Sequence, residues 1–133
     1  MKSLDQRKYT VAVDFDGVLH TYSTKWESED IIRDAPVPGA LAWLYEMIQD
    51  FDVIVFTTRG KTKRGRTAVL SWIQGHVGKD LWQDEGEKRG LCRIGVKAIK
   101  PPALVYIDDR AYRFTGANFP TVQEIHQMRP WNK

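Results

Sequence analysis

The sequence predicts an α/β domain built on a central parallel sheet with helices on both of its faces. Three observations carry that reading: short apolar runs that look like strands covered on both sides, amphipathic helical stretches alternating with them, and polar residues gathered where the strands end. At 133 residues the chain can bury one proper core and is too short for two ordinary ones, so residues 1–133 form a single domain in this reading.

The elements follow in order. Tyr9 to Phe15 is β-branched and apolar around the small Ala12, and Asp16-Gly17 ends it. A near-continuous run without clean alternation is what a doubly covered strand looks like. His20 to Asp34 is polar and dotted with aromatics, and Ala35 to Gly39 is rich in proline, so both read as loop with room for a short hairpin. From Ala40 the period changes, with Leu41, Leu44, Tyr45 and Ile48 at i, i+3, i+4 and i+7 of an amphipathic helix that Asp50 closes. Asp52 to Thr57 is a second strand. Thr67 to Val77 is helical again, with Val69, Leu70, Ile73 and Val77 on one side. Lys79 to Gly90 mixes both signs of charge and reads as a surface excursion. Leu91 to Val96 is a short third strand, and Leu104 to Ile107 a clearer one, bracketed by Pro101-Pro102 and Asp108-Asp109. Thr121 to Glu124 fits a capping box that opens a short terminal helix. The β-α-β spacing makes the domain Rossmann-like.

Composition removes several classes of function. Apolar residues at 42% and charged ones at 28% are ordinary for a globular protein, and the longest apolar run, Val53 to Phe56, is far too short to span a bilayer. No membrane partner is expected. The opening MKSLDQRKYT lacks the apolar region of a secretory signal, so the expected location is the cytoplasm. One cysteine, Cys92, excludes an internal disulfide framework, and three histidines without ligand-like spacing leave no zinc site. A net charge of +3 tolerates anionic partners without making the chain a nucleic-acid binder. Oligomeric state is not legible.

The strand ends carry the chemistry. The first finishes in Asp14-Phe15-Asp16, the second in Thr57-Thr58-Arg59 and the last in Asp108-Asp109-Arg110. In open parallel sheets, ligands bind beyond the carboxyl ends of the strands. Asp14 and Asp16, two apart, share a face of the strand, so their two negative charges are expected to converge. Three or four carboxylates on one rim repel unless a hard cation sits among them, and oxygen donors without Cys or His select Mg²⁺ over zinc. Thr57 adds a hydroxyl and Lys100 an ammonium. The inventory is that of phosphoryl transfer: a nucleophile, a cation clamp and neutralising donors.

In these residues the chain resembles the haloacid dehalogenase superfamily of phosphatases. Its four motifs match Asp14-Phe15-Asp16-Gly17, Thr57, Lys100 and Asp108-Asp109, in order, over Val11 to Phe114. The resemblance implies that Asp14 is the nucleophile that forms an aspartyl-phosphate, and that Asp16 is general acid on the leaving group and then base on water. It further implies that Thr57 binds phosphoryl oxygens, Lys100 offsets their charge, and Asp108 holds Mg²⁺ with Asp14 and the backbone carbonyl of Asp16. Asp109 is a further metal candidate, and its share relative to Asp108 stays open. Lys97 rivals Lys100 as the phosphate-site lysine. The family often inserts a cap over its site, and the intervals here are too short for more than a flap, so the chain resembles a capless member.

Arg59 to Arg66 carries five positive charges and no negative one. It leaves the same strand end as Thr57, so Thr58, Arg59, Lys61, Lys63 and Arg64 are candidates for binding a polyanionic substrate, nucleotides and nucleic-acid ends included. Trp26, Trp82 and Trp131 could add stacking faces, whereas Trp43 and Trp72 lie in helices and read as packing residues. Two other readings stay open: a phosphoacceptor receiver-like domain, which places adjacent acids early where this chain places them late, and a non-catalytic module that keeps the fold and the metal.

Overall fold

The computed structural model describes residues 9–133. Four strands, β1 (Thr10–Asp14), β2 (Asp52–Phe56), β3 (Gly95–Lys97) and β4 (Val105–Ile107), form one all-parallel sheet in the order β3-β2-β1-β4. The helices are α1 (Ala40–Asp50), α2 (Lys63–Trp82) and the short α3 (Val122–Gln127), with single 3₁₀ turns at Thr58–Lys61 and Leu91–Arg93.

Register decides which side chains share a face. Val11 pairs with Val53 and Val105, Val13 with Val55 and Ile107, and Val55 with Val96. Together they make one apolar face. Ala40, Leu44 and Ile48 of α1 and Val69, Trp72 and Ile73 of α2 bury against it in a single core. Both helices choose that face for one reason. The crossovers β1-α1-β2 and β2-α2-β3 step in the same direction across the sheet, and right-handed crossovers then put both helices on the same side.

The return from β3 to β4 passes back over two strands and has no helix. Its seven residues, 98–104, are fixed by the Leu104 N–H donating to the Thr10 carbonyl at 2.8 Å and by the Tyr106 hydroxyl donating to the Pro101 carbonyl at 2.5 Å. The second face therefore has a loop where helices on both faces were expected. Ile54, Phe56 and Tyr106 on it are only half-buried.

The boundaries differ instructively from the expectations. α1 spans the residues its periodicity predicts. α2 begins at Lys63, four residues before the apolar pattern, because the Thr62 hydroxyl caps it by accepting the Gly65 N–H at 3.0 Å. It also runs into the expected excursion, reaching Trp82 across a break at Gly78, whose φ of 76° is non-helical. The third strand is shorter than predicted, since Leu91 turns into the core from a 3₁₀ turn and only Gly95–Lys97 pairs. The capping box at Thr121 and Glu124 is present on α3. Among the described residues, no helix is long and apolar enough to cross a membrane.

Candidate active site

The strand order reverses between β1 and β4, and ligand sites of parallel sheets lie beyond such a reversal. Asp14 is the last residue of β1, and Asp108 and Asp109 directly follow β4. One carboxylate oxygen of each of the three lies within 4.8 Å of the others. Gly17 makes this approach possible. Its φ is 90°, and a Cβ there would stand 2.5 Å from Asp109 Oδ2.

The electrostatics of this acidic pole are unfavourable for bare carboxylates. Burial chiefly pushes the Asp14 carboxyl up, to about 7; the Phe15 N–H donating to it at 2.8 Å opposes the rise, and the charges of Asp108, Asp109 and Asp16 add to it. Asp109 Oδ1 is buried without a hydrogen-bond partner. Buried acceptors in native structures have partners almost without exception. Three hard oxygen donors, one of them orphaned, fit a Mg²⁺ ion.

Asp16 lies only two residues on, yet its carboxylate meets the opposite surroundings. Oδ1 lies 2.8 Å from His20 Nδ1, and Oδ2 accepts from Arg59 Nε at 2.9 Å. Burial alone would raise this carboxyl. The hydrogen bonds from His20 and Arg59, with the guanidinium charge, outweigh it and hold Asp16 below the usual carboxylate range. The side chains brought together as a metal group are thus Asp14, Asp108 and Asp109, with the Asp16 side chain committed elsewhere.

Arg59 acts from behind this pair. It is 1% exposed, its Nη1 donates to the carbonyls of Ser28, Glu29 and Ile31 at 3.0, 3.0 and 3.1 Å, and its guanidinium lies 4.4 Å from the Trp26 ring centroid. One buried side chain so ties the loop after β1 to the end of β2. The rest of the basic run divides. Arg64 pairs with Asp30 at 2.8 Å, Arg66 Nη1 donates to the Gly60 carbonyl at 2.8 Å, and Lys61 and Lys63 are exposed. Half of this run is the first turn of α2 and not loop, because Thr62 caps the helix ahead of it.

Thr57 is buried, and its hydroxyl oxygen accepts the Arg59 N–H at 3.2 Å, capping the 3₁₀ turn. With Asp14, Asp16, Thr58, Asp108 and Asp109 it lines a cavity of about 280 Å³. Lys100 stands on the second sheet face, in a cleft of about 490 Å³ that also takes in Asp14 and Asp108, with its Nζ 4.4 Å from the Tyr106 ring centroid. Lys97 faces a different hollow beside Gly60 and Lys61. Of the two rival lysines, Lys100 is the one placed with Asp14.

Three features escape sequence reasoning. His20 stands four residues after Asp16, a spacing visible in the sequence but without meaning until the turn closes on itself through Gly17 N–H to His20 O at 2.7 Å. Arg110, which the sequence places on the rim but without a role there, and Lys133, from a segment whose composition gives no sign of it, line the 280 Å³ cavity. The segment holding Lys133 is brought there by Trp131 Nε1 donating to the Gly17 carbonyl at 2.6 Å and by Asn132 Nδ2 donating to the Thr21 carbonyl at 2.9 Å. No protein-family model matches the chain, and no curated protein matches it.

Proposed function

We propose that this protein is a Mg²⁺-dependent phosphomonoester hydrolase of the haloacid dehalogenase type that works through an aspartyl-phosphate at Asp14. The observation that carries the reading is the division of one motif between two environments. Asp14 converges with Asp108 and Asp109 within 4.8 Å, while the Asp16 side chain is turned away from that group and fixed by hydrogen bonds with His20 and Arg59.

In the first half-reaction an Asp14 carboxylate oxygen attacks phosphorus, and the bond from phosphorus to the leaving oxygen breaks as Asp16 gives that oxygen a proton. In the second, Asp16 takes a proton from water, whose oxygen attacks the phosphorus and returns Asp14 as carboxylate. Asp14, Asp108 and Asp109 would hold Mg²⁺, which supplies charge neutralisation for the transferring group. Thr57 donates a hydrogen bond to the phosphoryl oxygens, and Lys100 adds positive charge from the second sheet face. The cations around Asp16 favour its ionised form, which suits the second half-reaction, so esters whose leaving oxygen needs no proton should react fastest.

The substrate class we propose is the phosphate of a nucleotide or nucleic-acid end, supported by exposed Lys61 and Lys63 close to Thr57 in the chain. A cytoplasmic location fits a chain whose single cysteine is free and exposed. The test is phosphate release from an aryl phosphate with and without Mg²⁺, for the parent protein and for Asp14→Asn. Metal-dependent release that disappears in Asp14→Asn supports the reading; no release by the folded parent, or full activity in the variant, overturns it.

A further inference from the structure

We propose that His20 is the positioning residue for Asp16, locked as the Nδ1–H tautomer by a backbone N–H on its far side. The inference deepens the phosphatase reading and rests on it. His20 is 1% exposed, and both ring nitrogens are engaged. Its Nε2 lies 3.0 Å from the backbone nitrogen of Asp34, which can only donate, while the Asp34 carboxylate stands 3.7 Å away, beyond hydrogen-bond reach. Nε2 must therefore carry the lone pair, and in a neutral imidazole the proton then sits on Nδ1. The 2.8 Å contact between Nδ1 and Asp16 Oδ1 is thus an N–H donating to a carboxylate, one of the stronger kinds of hydrogen bond.

The ring has no other place to go. Phe15 stacks on it with centroids 5.4 Å apart and planes at 20°, and Trp72 meets it edge-on at 5.5 Å and 77°. Trp72 Nε1 in turn donates to the Asp34 carbonyl at 3.2 Å, so a single peptide residue orients both rings, one through its N–H and one through its C=O. A half-turn of the imidazole would lose both of its hydrogen bonds at once. His20 also closes the turn that carries Asp16, its N–H donating to the Phe15 carbonyl at 2.9 Å. Arg59 shares the work on Asp16 Oδ2 but also holds three loop carbonyls, so the loss of Arg59 disturbs the loop as well. His20 is the partner whose effect on Asp16 can be isolated.

Two substitutions separate positioning from packing. Asn carries its amide nitrogen one bond from Cγ, where Nδ1 stands, and so can still donate to Asp16; Gln places its amide where Nε2 stands and can satisfy Asp34 alone. The kcat and KM of the parent, His20→Asn and His20→Gln are compared on a p-nitrophenyl ester and on an alkyl phosphomonoester, whose leaving oxygen needs the proton. In His20→Gln, kcat on the alkyl ester should fall by about 10²-fold with KM little changed, the loss on the aryl ester should be smaller, and His20→Asn should recover most of it. Equal losses in the two variants, or equal losses on the two esters, would overturn the proposal. A folded parent that hydrolyses neither ester overturns the phosphatase reading, and this role with it; an active parent with equal losses overturns this role alone. Independently of any variant, imidazole ¹⁵N spectra of the folded parent should show His20 protonated at Nδ1 and bare at Nε2, and the opposite tautomer would refute the lock.

Discussion

Asp14 and Asp16 are separated by one phenylalanine and live in opposite electrostatic worlds. Asp14 stands among carboxylates, half-buried, with its proton affinity raised to about 7; Asp16 stands between a buried guanidinium and an imidazole that hold it ionised. Residue type and spacing are therefore not what divides the labour between them. What divides it is that β1 ends at Asp14, so the next residues leave the sheet and turn Asp16 back towards β2 while Asp14 stays beside β4.

The sharpest way to break the comparison is to neutralise each member in turn. Asp14→Asn should abolish turnover, because no other group replaces the attacking oxygen, whereas Asp16→Asn should cost about 10²–10⁴-fold in kcat. Similar residual activity in the two variants, measured on one aryl phosphate, would erase the distinction.

Next in size is the cationic pole. Arg59→Ala removes the charge facing Asp16 and the donor to three loop carbonyls, and should cost about 3–5 kcal/mol in denaturant unfolding, as breaking a buried pair does. Arg59→Lys should recover little of it, since an ammonium cannot reproduce the guanidinium fork. A variant as stable as the parent would mean that the loop is held by other interactions.

The acidic pole should announce itself in pH. The Asp14 proton affinity is higher in the folded state than in the unfolded one, so its contribution to stability is complete below about pH 4 and is lost as pH rises towards about 7. Asp16 is shifted the other way, and its contribution is lost only in acid, below its ordinary value of 3.8. Between these limits Asp14 dominates the pair. Thermal melts of the metal-free protein should move down as pH rises from about 4 to about 7, and Asp14→Asn should flatten that slope. Mg²⁺ should oppose the fall at neutral pH, and Asp108→Asn should weaken that rescue without disturbing the fold. A calorimetric titration that shows equal Mg²⁺ binding in parent and Asp108→Asn would remove Asp108 from the group.

The smallest effect on chemistry belongs to the basic run. Replacing Lys61, Lys63 and Arg64 by Ala should leave aryl phosphate turnover nearly unchanged. It should lower the salt dependence of oligonucleotide binding by about 0.7–0.9 in log–log slope for each phosphate that a removed cation had neutralised. Arg64 already pairs with Asp30, so its share should be less than that of the two lysines. An unchanged slope would detach nucleic acid from this surface.

Local pattern made part of this legible. The i, i+3, i+4, i+7 series of α1, the capping box at Thr121 and the apolar run of β1 each reside within a dozen residues, and each is found where expected. The acids at the ends of β1 and β4 could be placed on one rim because a parallel sheet has only one carboxyl edge. The start of α2 was hidden because charges occupy its first turn, and three-residue β3 is too short to show a period. The partnership of Asp16 with His20 and Arg59 was illegible for a different reason. Arg59 reads as one more cation in a run of five, and only the closed loop shows that it is the buried one.

The placement of β1 also sets an order of events. Val11 pairs with Val53, some 40 residues away, and with Val105, more than 90 away, and pairings between distant residues are the slow ones to form. A chain that has docked β2, α1 and α2 on β1 still leaves Asp14 hydrated and unopposed, for Asp108 and Asp109 arrive only with β4. Repulsion among the three then enters with that last and slowest pairing. Relief of that repulsion by a divalent cation should accordingly speed refolding as well as slow unfolding, so the acidic pole governs both how quickly the native state is reached and how long it lasts.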